Sequence, residues 1–129
     1  MSRKDAREQV FQLVFEFCFV GEKNQMSLDR LLELPENEKE KDYIQSVYFG
    51  VVEHYDELCA KIAENSNGFA LDRIFKVDLA IMLLASFEFL HYDLPPAVAI
   101  NEAVNLAKKF STPKSASFVN GVLASLVKK

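Results

Sequence analysis

Residues 79–90 read LAIMLLASFEFL, an apolar run broken only by Ser86 and Glu88. Wound as a helix, Ile81, Leu84, Ala85, Glu88 and Phe89 fall together, while Leu79, Leu83, Phe87 and Leu90 spread around the rest of the cylinder. A helix that is apolar on all sides has to be covered from several sides. The run is too short and too interrupted to span a bilayer. It therefore predicts a central buried helix, starting near residues 76–78 and ending near His91. Glu88 inside this run either reaches solvent or is paired within a buried network, because an isolated buried carboxylate is costly.

The flanking sequence supplies covering helices. Residues 3–20 carry Val10, Leu13, Val14, Phe17 and Cys18 on one face, with Phe11, Phe15 and Phe19 on its flank. Ser2 is the expected N-cap, and Gly21 with Asn24 the expected stop. A short helix is expected over 27–34, capped by Ser27 and ended by Pro35. A long one is expected over 41–65, where Tyr43, Val47, Val51, Tyr55, Leu58 and Ile62 recur at three and four. Gly50 within it costs about 1 kcal/mol relative to alanine and would permit close helix packing. After a turn at 65–68 comes a short helix over 69–74. Pro96 can open a helix over 97–110. Ser111-Thr112-Pro113-Lys114 breaks the chain before a last helix from about 115, capped by Ser115 or Ser117. Asn120-Gly121 lies inside that helix, because the apolar stripe Phe118, Val119, Val122, Leu123, Leu126 continues across it. Gly121 would let another helix approach. The fold class is all-α, one domain over 1–129 with helical subregions of about 1–66 and 67–129.

Charge is unevenly distributed. The formal net charge is −4, yet residues 22–64 carry 11 acids and 5 bases, and residues 104–129 carry five lysines and no acid. Overall acidity argues against strong non-specific nucleic-acid binding but not against a local basic site. Arg3, Lys4 and Arg7 cluster in the first turns of the first helix, a site the helix dipole does not favour for cations. They read either as a solvated face or as a phosphate-contacting patch. Cys18 and Cys59 lie in apolar-periodic segments and are expected as buried thiols rather than a disulfide, which fits a reducing, cytoplasmic compartment. No leader with a cleavage site is expected.

Catalytic chemistry is not indicated. His54 and His91 show no metal-ligand spacing with the cysteines and acids, so no metal site is expected. The serines near 111–117 lack a nucleophile-elbow pattern, and the glycines form no phosphate loop. No cofactor motif is present. The carboxylates at 36–42 and 53–57 read as surface. Asn101 and Glu102 interrupt an apolar face. They are either an exposed helical edge or a polar anchor for the 91–97 junction.

AINEAVNLAKKF (99–110) followed by SFVNGVLASL (117–126) resembles the NusB family of transcription antitermination proteins. DRIFKVDLAIMLLASFEFLHYDLP (72–95) and RKDAREQVFQLVFEF (3–17) resemble the family's central and first helices. The resemblance implies a NusB-like bundle of about seven helices in two subdomains and no enzymatic activity. It implies binding of a boxA-like single-stranded RNA together with the small-subunit ribosomal protein NusE, within an RNA polymerase complex containing NusA and NusG. Some members of the family form homodimers. Carried over by position, the RNA surface would use Arg3, Lys4, Arg7, Lys108 and Lys109 for phosphates, Phe118 for stacking and Asn120 for a base edge. The NusE surface would use Asp78, Leu79, Leu83, Glu88, Pro95, Asn101 and Glu102.

The sequence departs from the family where that motif usually runs like VDRAILRLALYEL. Here Leu79 and Leu83 stand at the two usual arginine positions, which implies that Asp78 lacks its usual partner. Phe69 stands in place of the usual tryptophan. These losses imply weaker RNA affinity, greater dependence on the ribosomal partner, or an apolar protein–protein surface. The competing expectation is a helical interaction domain or homodimer with reduced RNA binding, favoured if Leu79 and Leu83 face solvent.

Overall fold

α1 (Arg3–Val20) starts as its sequence dictates. The Ser2 hydroxyl accepts from the Asp5 amide, and the Asp5 carboxylate accepts from the Ser2 amide, a reciprocal capping box. Gly21 closes the helix in the left-handed conformation, φ 79°. A computed structural model describes residues 2–68 and 70–128. Among these the chain forms seven α-helices and two short 3-10 helices: α1, α2 (Gln25–Glu33), a 3-10 helix (Pro35–Glu40), α3 (Lys41–Glu53), α4 (Tyr55–Glu64), a 3-10 helix (Leu71–Arg73), α5 (Lys76–His91), α6 (Pro96–Phe110) and α7 (Pro113–Val127). Phe69, the aromatic at the family's tryptophan position, lies outside the described residues.

α5 is the hub. Every residue from Asp78 to Glu88 is buried, and α1, α3, α4, α6 and α7 all pack against it. Covering from so many directions is what an all-round apolar helix requires. α6 and α7 pack against each other as well as against α5, and α1 and α3 do the same. Gly50 of α3 lies directly against the Phe87 ring of α5. A Cβ there would stand 2.0 Å from the tip of the Phe87 ring, so the α3–α5 contact depends on the missing side chain. Gly121 has no such role, since nothing lies within 4 Å of where its Cβ would be. The expectation of a close helix contact there is corrected.

Three boundaries also differ from expectation. The 41–65 helix is broken at His54 (φ −97°, ψ 15°) into α3 and α4. The apolar period runs on through the break, so it leaves no pattern in the sequence. α2 begins two residues earlier than expected, because the Asn24 side chain rather than Ser27 caps it and accepts from the Ser27 amide. α7 is capped by Thr112, which accepts from the Ser115 amide, and Pro113 is its first residue. Proline lacks only an N–H that would be unsatisfied at that position anyway, so the polar break is a helix start. Cys18 and Cys59 are free thiols, half-buried and buried. Burial pushes the Cys18 thiol up to about 11. Among the described residues, no helix is long and apolar enough to cross a membrane.

Candidate nucleic-acid interface

The start of α1 and the end of α6 face each other across a cleft of about 370 Å³, lined by Lys4, Arg7, Glu8, Glu102, Asn105, Leu106, Lys108 and Lys109. Four cations thus meet two carboxylates on the surface of an acidic chain. Lys4 and Lys108 are exposed. Lys109 is exposed and its Nζ lies 2.6 Å from Glu8 Oε1, tying the two sides of the cleft. Arg3 stands nearby on α1, with its Nε 2.6 Å from Glu40 Oε2 and its guanidinium 4.1 Å above the Tyr43 ring.

Arg7 is different. It is only 6% exposed and forms the floor of the cleft. Its Nε donates to Glu88 Oε1 at 3.0 Å and its Nη2 to Glu88 Oε2 at 2.9 Å, a bidentate pair. Its Nη1 reaches Glu102 Oε2 at 3.4 Å. The Tyr43 hydroxyl donates to Glu88 Oε2 at 3.1 Å. Burial alone would favour a neutral guanidine. The Glu88 hydrogen bonds and the surrounding Tyr43, Glu88 and Glu102 outweigh it and hold Arg7 charged more firmly than usual. Burial, and then the Glu88 charge, push the Tyr43 phenol above its ordinary range. Arg7 is therefore a buried cation whose Nε, Nη1 and Nη2 each donate to a carboxylate, which sets it apart from the exposed lysines expected to act with it as phosphate contacts.

The expected protein-partner surface is largely corrected. Leu79 and Leu83 are 1% and 0% exposed. Where the family motif has arginines, this chain extends its core rather than exposing an apolar patch. Glu88 is buried under Arg7. Asp78 is buried too, and it has partners: Ser111 Oγ donates to its Oδ1 at 2.7 Å and Ser115 Oγ to its Oδ2 at 2.8 Å. Asp78 thus takes its partners from Ser111 at the end of α6 and Ser115 in the first turn of α7. Pro95 and Asn101 are exposed, and Glu102 is half-buried against Arg7. Asn101 is thus an exposed helical edge, whereas Glu102 pairs with Arg7 of α1 rather than with the 91–97 junction.

Phe118 and Asn120 lie apart from the lysine cleft. Phe118 lines an apolar hollow of about 580 Å³ with Ile74, Phe75, Pro113 and Lys114. Asn120 is exposed and borders a third depression, between α6 and α7, with Asn101 and Ser117. The expected RNA residues other than Arg3 therefore divide among three concavities rather than sharing one. The sequence carried one signal for the Arg7–Glu88 pair, an acid in an apolar run. Nothing local marked its partner, 81 residues away.

The helical bundle is shared with solved structures. Thermotoga maritima NusB superposes with a TM-score of 0.87 at 28% identity, covering 100% of this chain and 92% of that one. Aquifex aeolicus NusB gives 0.82 at 26%, covering 98% and 87%. A chain from a complex of the antitermination factors NusB and NusE with double-stranded RNA shares the fold, with a TM-score of 0.84 at 24% identity over 98% and 96%. The fold thus defines a NusB-type all-helical domain. The NusB family model matches residues 4–128, and the chain belongs to the NusB family. It is similar to the transcription antitermination protein NusB of Acetivibrio thermocellus, 40% identical over 99% of this chain and 90% of the relative. It is likewise similar to that of Finegoldia magna, 35% identical over 100% and 96%.

Proposed function

We propose that this protein is a transcription antitermination factor that binds boxA-like single-stranded RNA together with the ribosomal protein NusE and supports transcription of ribosomal RNA. The observation that carries the reading is the α1–α6 cleft, where Lys4, Lys108 and Lys109 from distant segments meet over a buried, ion-paired floor. The lysines supply phosphate contacts, Phe118 a stacking face and Asn120 a base-edge donor and acceptor. No chemical step is involved. A protein partner lowers the entropic cost of holding a flexible strand in place. NusE, RNA polymerase, NusA and NusG are the partners of this reading, and the cytoplasm is its compartment. Membership of the NusB family and the likeness to proteins called transcription antitermination protein NusB support it.

A protein-interaction or homodimer role is favoured by a different part of the molecule. Phe19, Val20 and Met26 are exposed at the α1–α2 corner, at 63%, 60% and 67%. Exposed apolar side chains of this size are typical of protein contacts. The buried Leu79 and Leu83 give that role no support.

The test is an RNA titration at two salt concentrations, with and without NusE. The RNAs are a boxA-like single strand, a scrambled strand and a duplex. Selective binding of the boxA-like strand that tightens with NusE and weakens with salt is expected. Equal, negligible binding of all three in the presence of NusE would overturn the reading and leave the interaction domain standing.

A further inference from the structure

We infer that His54, Glu57 and His91, none of which lines the lysine cleft, form a surface site for a divalent transition-metal ion of the zinc class. His54 is the joint between α3 and α4, Glu57 lies one turn further along α4, and His91 is the last residue of α5. Glu57 uses both carboxylate oxygens. Its Oε1 lies 3.0 Å from His54 Nδ1 and its Oε2 lies 3.0 Å from His91 Nε2. One ligand atom from each of the three side chains lies within 4.8 Å of the others. Bonds of about 2.0–2.1 Å in a tetrahedral zinc site place donor atoms roughly 3.3 Å apart. The two histidine-to-carboxylate separations are thus close to that distance, and the whole set, within 4.8 Å, needs to contract onto an ion.

The site is also supported from beneath. The two imidazoles stack with centroids 4.1 Å apart and planes 16° from parallel. The Phe87 ring lies 6.0 Å from His54 and 5.7 Å from His91. Phe87 is itself fixed against Gly50. The outer side is open, with side-chain exposures of 32%, 41% and 30% for His54, Glu57 and His91. Ions can therefore enter and water can complete the coordination. To share one ion, one imidazole would have to tilt out of the stack, because lone pairs lying in two parallel ring planes do not converge. Two imidazoles and one carboxylate suit zinc, cobalt or nickel. Magnesium and calcium prefer all-oxygen shells and are disfavoured. An ion here would tie the α3–α4 corner to the end of α5.

The experiment titrates Co²⁺, followed by visible absorption, and Zn²⁺, followed by calorimetry, into the full chain. Mg²⁺ and Ca²⁺ serve as controls. One Co²⁺ or Zn²⁺ per chain is expected, with a rise in the thermal midpoint because the ion binds only the folded state. His54→Gln, His91→Gln and Glu57→Gln should each weaken binding by at least the ~10-fold that loss of an outer partner of a metal ligand costs. All three positions face solvent, and unchanged helix content without metal confirms each variant's fold. Three outcomes overturn the site. They are no saturable binding up to about 1 mM, a free energy near −4 kcal/mol; full affinity retained in the histidine variants; or thiolate-to-cobalt absorption, which assigns the ion to Cys18 or Cys59.

Discussion

The floor and the rim of the α1–α6 cleft are built from the same kinds of residue and do opposite things. On the floor, Arg7 is surrounded by Glu88, Glu102 and Tyr43 and shut away from water. On the rim, Lys4, Lys108 and Lys109 project into solvent, and Lys109 alone of the three is ion-paired among the described residues. A buried cation deprived of its partner is costly, whereas an exposed one sacrifices almost nothing. The floor therefore fixes where the helices sit, and the rim is free to meet an external anion. Family resemblance by position could not separate the two roles, because Arg7 and Lys4 stand in one basic cluster along the chain. Burial separates them.

The largest expected effect tests the floor. Glu88→Ala leaves Arg7 with only the longer Glu102 contact and should cost about 3–5 kcal/mol in urea unfolding. Pairing Arg7→Met with Glu88→Leu should recover most of that stability, because buried ion pairs are often replaceable by apolar groups of similar volume. If the double variant is as unstable as Glu88→Ala, the floor is not a coupled pair. Asp78→Asn weakens two hydrogen bonds from hydroxyls to a buried carboxylate, and a destabilisation of about 1.5–3 kcal/mol by the same assay is expected. Gly50→Ala should cost about 1–3 kcal/mol by overpacking against Phe87, and adding Phe87→Leu should restore part of it. The smallest stability effect belongs to the rim. Lys108→Ala with Lys109→Ala should move stability by no more than about 1 kcal/mol, since the ion pair removed is an exposed one. The same variant should lower the slope of log affinity against log salt by about 0.7 for each phosphate of a single strand that is no longer neutralised. A rim variant that unfolds the protein, or a floor variant that only changes RNA affinity, would reverse the comparison.

Much of the fold was legible because helices announce themselves by period. α1, α5 and α6 fall within a residue of where their apolar stripes and caps place them. The His54 break was hidden for the same reason. The stripe Val51, Tyr55, Leu58, Ile62 runs through it without a glycine or proline to mark the joint. The site was less legible. Glu88 in an apolar run signalled a buried partner, but the partner lay 81 residues away. Leu79 and Leu83 looked like missing surface charges because period alone cannot tell a helix covered on all sides from one with a free face. Their burial and the Ser111–Asp78–Ser115 hydrogen bonds are tertiary facts. So is the meeting of His54 with His91: Glu57 was visible at three residues from His54, and His91 was not.

Arg7 also sets an order in time. It leaves the ribosome well before its partners, which stand 81 and 95 positions later. Contacts so distant along the chain cannot close until the intervening sequence has been made. α1 must therefore wait, without its polar anchor, until α5 and then α6 have been translated. Lys108 and Lys109 follow Glu102 by about two turns of the same helix. The segment that locks the first helix in place is thus also the one that completes the basic rim, so that the lysines of α6 arrive together with the anchor of α1.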